Sequence, residues 1–225
     1  MTTFKRARTE EQRAARRRAI LATASAMLAE LPVAQVTLNE LSRRVGLAKS
    51  NVLHYFESRE AVLLELLDRA SQRWLVELAG ELAAGIDPDA PAARRGDQLA
   101  ATLAASLAAR PVLCDLVSAQ AAVLEHNVST QLAATHKRAT LTRVAELCAL
   151  VHEHVPELAE PDALRLAGAG FLVIGAVWTH ARPAAATLAV YEADPELAAL
   201  RIDFTATVRE LLEVLIAGLL ARSSH

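Results

Sequence analysis

A group of polar side chains follows the glycine at position 46 and is of a kind that reads nucleic-acid bases. Lys49, Ser50 and Asn51 stand side by side where we predict the start of a helix. A lysine can donate to O6 and N7 of guanine, and an asparagine can pair with adenine through two hydrogen bonds. The alternative is that all three are ordinary exposed helix residues. We favour base contacts in the major groove of DNA.

Residues on either side of this group are suited to the phosphate backbone. Thr37, Tyr55 and Arg59 flank the predicted helix and can supply hydrogen bonds or positive charge to phosphates. Tyr55 can also fill the core with its ring while its hydroxyl stays at the surface, and the two roles are compatible. We expect His54 to face outward, where it touches a phosphate or a base or remains a passive surface residue.

These residues lie on two short predicted helices of the kind that a helix-turn-helix contains. Thr37 and Glu40 form a capping box that predicts the start of the first helix, and Gly46 suits its left-handed end. The second helix is predicted from about Lys49 to Phe56, and Ser58 is a suitable N-cap for a long helix after it. In this motif the second helix lies in the major groove. The apolar residues expected to hold the two helices together are Leu41, Val45, Leu47, Val52 and Phe56.

Composition predicts an all-α protein with one basic end. Alanine and leucine, which favour helices, dominate the chain, and a capping box at Thr9 predicts the start of its first helix. Residues 1–60 contain 11 lysines and arginines against 6 acidic residues, whereas residues 61–225 contain 13 against 20. This asymmetry indicates a polyanionic partner at the basic end, unless that end is merely a solvated basic surface. Cys114 and Cys148 have no CxxC spacing and are expected to be reduced, as in a cytoplasmic protein.

Residues 11–66 resemble the TetR family of bacterial one-component transcriptional regulators. The residues that carry the resemblance are Thr37, Leu41, Val45, Gly46, Leu47, Lys49, Val52, Tyr55, Phe56 and the run from Ser58 to Val62. The resemblance implies that Asn39, on the first short helix, also reaches a base edge. It further implies that the helices beyond residue 61 form a ligand-binding and dimerisation domain.

The chain departs from the family's pattern at three positions. Ala48 replaces the usual polar N-cap of the recognition helix, a change that should cost about 1 kcal/mol. Leu53 stands where tyrosine is common, so one hydroxyl directed at phosphate is lost. Glu57 occupies a position often held by proline or lysine, and it adds negative charge near the DNA-facing side.

The body of the chain contains polar and aromatic residues that suit a small-molecule pocket. Gln120, His136 and Thr140 are polar residues on otherwise apolar predicted helices, and Phe171 and Trp178 are seven apart on one helix. A small-molecule site is typically an apolar cavity with a few polar groups, and we predict an apolar effector for this one. The alternative is that the aromatic pair belongs to the core.

Two predicted helices in the body have the composition of a dimer interface. Small residues on the first, Gly168 and Gly175 among them, allow another helix to approach closely. The last helix has a broad apolar face, and we expect that face to serve both the core and a partner. Its candidate interface residues are Val208, Leu212, Leu215 and Leu219. The alternative is that both helices serve the core of one chain only.

Several other classes of function are not supported by the sequence. It has no glycine-rich phosphate loop, GxSxG or HExxH, so we expect neither an enzyme nor a cofactor. His152 and His154 are two residues apart on a predicted helix and point in different directions, so we expect no metal site. The apolar segment 166–181 is short for a membrane span, and we predict a buried helix and no membrane partner.

We therefore predict about nine helices, with a three-helix helix-turn-helix domain at residues 1–57 and a ligand-binding and dimerisation domain at residues 58–225. The protein is expected to be a cytoplasmic homodimeric repressor, located at the nucleoid when it is bound to DNA. Its partners would be a palindromic double-stranded DNA operator and an apolar small-molecule effector that releases it. A ligand-independent DNA-binding dimer, or a protein-interaction module without a sensing pocket, remains the alternative.

Overall fold

A computed structural model describes the backbone of residues 2–223 and the side chains of residues 10–222 apart from residue 122. Within residues 2–223 it contains eleven α-helices and no strand, which confirms the all-α prediction. The helices are α1 (Thr2–Glu30), α2 (Leu38–Val45), α3 (Lys49–Tyr55), α4 (Arg59–Gly85), α5 (Ala92–Ala108), α6 (Pro111–Ala119), α7 (Thr130–His154), α8 (Glu160–His180), α9 (Ala185–Ala193), α10 (Pro195–Ala198) and α11 (Phe204–Ser223). A 3-10 turn at Val33–Gln35 and a π-helical turn at Gln120–Leu124 complete the described elements.

Two helix boundaries differ from those predicted. Helix α1 begins at Thr2, so Thr9 lies inside the helix and not at its start. The residues between them include alanine, lysine and arginines, which favour continuation of a helix. The helical pattern of the sequence predicts one last helix over residues 196–221, but the structure divides this stretch into α10 and α11. The Asp203 carboxylate accepts a hydrogen bond of 2.7 Å from the Ala206 backbone N–H and so starts α11 there.

The chain folds as two compact units. The first contains Met1–Arg69 together with Ala119–Arg138, and the second contains Ala70–Ser118 together with Ala139–His225. Helices α4 and α7 therefore each contribute residues to both units. The first unit contains the whole helix-turn-helix and the beginnings of these two long helices.

The first unit is organised around the apolar face of α1. Ile20, Ala24 and Met27 recur at helical spacing and are fully buried. Arg17, one turn earlier on that helix, lies across the end of α3. Its guanidinium is 4.1 Å from the centroid of the Phe56 ring, donates to the Tyr55 carbonyl at 2.5 Å and pairs with Glu65 of α4. Arg17 therefore joins α1, α3 and α4.

The core of the second unit is built where α11 packs on α5 and α8. A Cβ atom added to Gly96 would lie 2.8 Å from Cγ2 of Ile216, so the close approach of α5 and α11 requires glycine at this position. Val208, Leu212 and Leu219 of α11 are buried in this core. Helices α9 and α10 contribute no buried side chain.

Candidate DNA-binding surface

The two short helices of the first unit are set by their end residues. The Thr37 hydroxyl accepts a hydrogen bond of 3.2 Å from the Glu40 backbone N–H and caps α2. Gly46 ends α2 at φ 71°, a left-handed conformation that favours glycine. The backbone N–H of Leu47 then donates to the Ser42 carbonyl at 3.0 Å. These bonds fix the sharp turn into α3, as the sequence predicted.

Helix α3 has one buried residue and a broad exposed polar face. Val52 is fully buried, and Phe56, which ends the helix, is also in the core, so both predictions are confirmed. Lys49, Ser50 and Asn51 are all exposed at the start of the helix. The polar side chains proposed to read bases thus lie on the part of α3 that faces away from the core.

The predicted phosphate-binding residues surround α3 in different settings. Thr37 and His54 are exposed, as is Asn39 on α2, and Tyr55 is half-buried with its ring edge-on to His54 at a centroid separation of 5.5 Å. The Arg59 guanidinium instead donates to the Val33 carbonyl at 3.1 Å, and it lies 3.9 Å from Glu60. In this conformation Arg59 braces the 3-10 turn before α2.

Much of the positive charge on α2 is already balanced within the protein. The Glu40 carboxylate accepts hydrogen bonds from Arg43 and Arg44, and Arg44 also pairs with Glu30. These hydrogen bonds lower the pKa of Glu40 to about 2. Lys49 lies in α3, outside this network, where its ammonium is well placed for a polyanion.

Ala48 is the N-cap of α3 and its side chain makes no capping bond. We expect Ala48→Ser to raise the free energy of unfolding by about 1 kcal/mol, because the hydroxyl can accept from a backbone N–H of the first turn. Urea unfolding measures the change. The control is Ala48→Val, which lacks an acceptor, and equal stability of the serine and valine variants would contradict this account.

The five predicted pocket residues are divided between the two units. In the first unit Gln120 and His136 are buried, and both point at the Glu125 carboxylate. Oε1 of Glu125 lies 2.7 Å from Nε2 of Gln120 and 4.0 Å from Nε2 of His136. Burial lowers the pKa of His136, although the Glu125 carboxylate opposes that shift. The imidazole is therefore biased towards its neutral form.

The other three predicted pocket residues belong to the second unit and have different surroundings. Trp178 is buried, donates to the Asp115 carboxylate at 3.3 Å and packs edge-on against Phe204. Phe171, seven residues earlier, is exposed, and Thr140 is half-buried on α7. The seven-residue spacing therefore does not give the two aromatic side chains the same environment.

The predicted interface residues also divide between core and surface. Val208, Leu212 and Leu219 are buried in the protomer's own core, and Leu215 is packed against it. Gly168 is exposed, and Gly175 is half-buried, with its Cβ position 3.7 Å from Ser118 Cα. Helix α8, which was predicted to be buried, is only partly buried. In its most apolar stretch of 18 residues, 28% is buried.

Comparison with known proteins identifies the family of the chain. Residues 20–66 match the model of bacterial regulatory proteins of the tetR family, and residues 68–223 match the model of the tetracyclin repressor-like C-terminal domain. The chain belongs to the TetR family. It is therefore a DNA-binding transcriptional regulator, and the resemblance found in residues 11–66 extends through the rest of the protein.

Individual relatives of this TetR-family regulator match it locally in sequence or globally in fold. The transcriptional regulator EthR of Mycobacterium tuberculosis strain H37Rv is 45% identical over 51 residues, which are 23% of this chain and 24% of EthR. The match thus spans about a quarter of that curated relative. Because the aligned stretch is short, it does not carry over what EthR binds.

Two solved structures share the fold of the regulator at low sequence identity. The fatty acid degradation regulator FadR from Bacillus halodurans is 17% identical, with a TM-score of 0.56 over 90% of this chain and 95% of FadR. A transcriptional regulator from Rhodococcus sp. Rha1 is 16% identical, with a TM-score of 0.53 over 92% of this chain and 96% of that one. These likenesses concern the fold alone.

The role of Arg17 in joining α1, α3 and α4 of the regulator was not predicted from the sequence. A signal was present, since Arg17 precedes the buried Ile20, Ala24 and Met27 at helical spacing and so shares their face of α1. A basic residue in that register has to find partners beside the core. The Phe56 ring and the Glu65 carboxylate provide them.

Proposed function

We propose that this TetR-family regulator is a cytoplasmic repressor that binds a palindromic operator as a homodimer and is released by a small apolar effector. The observation that carries the proposal is the exposed polar face of α3. It presents Lys49, Ser50 and Asn51 beside Tyr55, while Val52 and Phe56 anchor the helix to its unit. A helix held in this way is suited to enter a major groove as a rigid element.

The base-reading role of α3 is tested by replacing Lys49 and Asn51 with alanine. We expect the double variant to lose discrimination between a selected operator and an unselected duplex by about 10-fold or more, since each good base contact contributes about 1–3 kcal/mol. Fluorescence anisotropy on two labelled duplexes of equal length measures the ratio of the two dissociation constants. An unchanged ratio would overturn the assignment of α3.

Exposed apolar strips on α8 and α11 support the dimer. On α8 they comprise Leu164, Phe171 and Leu172, which recur on one face of the helix with Gly168 between them. On α11 they comprise Leu211 and Val214, next to the buried Leu212. Contiguous exposed apolar surface marks an interaction site in soluble proteins. Two copies joined through these strips would present two recognition helices to the two halves of a palindrome.

The strips also account for the apolar character of α8. This helix is long and apolar enough to cross a membrane by length and composition alone, and it is the one single helix within residues 2–223 with that property. A helix that buries one face in its own protomer and a second face in a partner needs apolar residues almost all round. We therefore propose that the interface extends over Gly168 and the exposed side chains of α8 and α11.

The effector part of the proposal is supported by the buried polar group of the first unit. Gln120, Glu125 and His136 bring hydrogen-bonding groups together, and Lys137 joins them through Glu125 at 2.7 Å. Gln120 begins the π-helical turn, and such turns occur frequently at functional sites. We propose that this group receives the polar end of an otherwise apolar effector.

A further inference from the structure

Glu57 connects the recognition helix to the beginning of α7. It lies in the short segment between α3 and α4, and its carboxylate accepts two hydrogen bonds from Ser129. The Ser129 backbone N–H lies 2.6 Å from Oε1, and the Ser129 hydroxyl lies 2.8 Å from Oε2. The two residues are 72 apart along the chain and belong to the same compact unit.

The contact completes the cap of α7 from outside that helix. Ser129 is the residue before α7, and its hydroxyl accepts from the Leu132 backbone N–H at 3.2 Å. In an ordinary capping box, a glutamate three residues after the cap accepts from the backbone N–H of the capping residue. Leu132 occupies that position here and has no side-chain acceptor, and Glu57 accepts from the same backbone N–H. The carboxylate is also favoured by the positive end of the helix dipole.

The position of Glu57 makes this cap relevant to DNA binding. Its neighbours along the chain are Tyr55 and Phe56 at the end of α3, and Arg59 at the start of α4. Phe56 is buried under the Arg17 guanidinium, so the backbone on that side is held firmly. A two-point bond from Glu57 therefore links the turn after the recognition helix to the first residue of α7.

We infer that Glu57 is a positioning residue for operator recognition, and that its bond to Ser129 makes the orientation of α3 depend on the N-terminus of α7. The inference rests on the proposed function, because it takes α3 as the helix that reads the operator. Helix α7 also carries His136, the buried histidine of the Glu125 group. A change at that group has a short path along α7 to Ser129 and through Glu57 to α3.

The negative charge of Glu57 serves orientation and not affinity. A carboxylate beside a DNA-facing helix repels every duplex by a similar amount, whatever its sequence. Removing the charge should therefore raise the affinity for all DNA while it lowers the preference for one sequence. The general rise in affinity cancels in the ratio of the dissociation constants for two duplexes. A change in this ratio therefore measures the loss of sequence preference alone.

The experiment uses the full-length protein and a duplex that it selects from a random pool, with an unselected duplex of equal length as reference. The variants are Glu57→Gln, Ser129→Ala and their combination, with Ser129→Thr as the conservative control. We expect each single change to lower the ratio of affinities about fivefold, since each weakens a charge-assisted hydrogen bond. In the combined variant the ratio of affinities should fall no further than in either single variant, because both changes break the same contact. The Ser129→Thr variant should retain the wild-type ratio.

Each outcome of this experiment either supports or overturns the inference. Losses as described, measured well below the unfolding temperature of each variant, support it. An unchanged ratio in both single variants, or losses that multiply in the combined variant, would overturn it and leave Glu57 as a local cap. Selection of no duplex by the wild-type protein would instead refute the proposed operator binding, and the inference with it. If Lys49 and Asn51 variants lose discrimination while Glu57 and Ser129 variants do not, the inference alone fails.

Discussion

Replacing Leu172 with glutamate is expected to convert the proposed dimer to monomers. Leu172 is 70% exposed in the protomer and lies on the strip of α8 that we propose as the interface. By two-fold symmetry a dimer would bury two such carboxylates among apolar side chains, and an unpaired buried charge costs several kcal/mol. We expect the dimer dissociation constant to rise at least about 100-fold, which sedimentation velocity measures over a dilution series. The affinity for a palindromic operator should fall with it.

The matched control for this change is Val76→Glu. Val76 is 75% exposed on α4 and belongs to the same compact unit, so the substitution adds the same charge at an equally exposed apolar position. Because Val76 lies outside the two strips, the variant should keep the wild-type dissociation constant. A Leu172→Glu protein that still dimerises as the wild type does would refute the interface on α8.

Replacing Val52 with asparagine is expected to abolish operator binding by loosening α3. Val52 is 0% exposed and is the one buried residue within that helix. The change removes apolar burial and places an amide where it has no ready partner, so it should lower the free energy of unfolding by about 3 kcal/mol. Urea unfolding and anisotropy with the selected duplex measure the two effects.

Leu53→Asn provides the control at the next position of the same helix. Leu53 is 40% exposed, so an asparagine at this position should change the free energy of unfolding by no more than about 0.5 kcal/mol. Any direct effect of asparagine on the DNA-facing side appears in this variant. Equal stability of the Val52 and Leu53 variants would show that Val52 does not anchor the helix.

The helix-turn-helix could be predicted from the sequence because its determinants are local. Thr37 caps α2 through a residue three positions away, Gly46 sets its own backbone conformation, and Ser58 caps α4 through Ala61 at 3.1 Å. Each of these bonds joins residues close in the chain. The family models confirm the same stretch independently.

The sequence did not predict which apolar residues of the body are buried in the core and which are exposed at the surface. Leu211 and Leu212 are adjacent and chemically identical, yet one is exposed and the other is buried against the core. The sequence shows a broad apolar face, and the division of that face between core and surface depends on where α5 and α8 lie. The partition is thus a property of tertiary packing.

Polar contacts between residues far apart in the chain also could not be predicted from the sequence. Glu57 was interpreted as a departure that adds negative charge near DNA, since nothing around it indicates a partner 72 residues away. Asp203 differs, because its capping bond to Ala206 is local and its place before a helix was available in the sequence. That signal was overlooked because the alanines, leucine and arginine of residues 198–201 favour continuation of a helix.

A lysine at position 17 would keep the positive charge of Arg17 but not the shape of its side chain. Its planar guanidinium covers the Phe56 ring while its separate nitrogens bond the Tyr55 carbonyl and Glu65. A lysine carries a single nitrogen at the end of its chain and cannot occupy the ring face and both edges together. Substitution scores treat the two residues as near equivalents, so a variant library designed on such scores would misjudge this site. We therefore expect position 17 to require arginine, because all three contacts depend on the shape of the guanidinium.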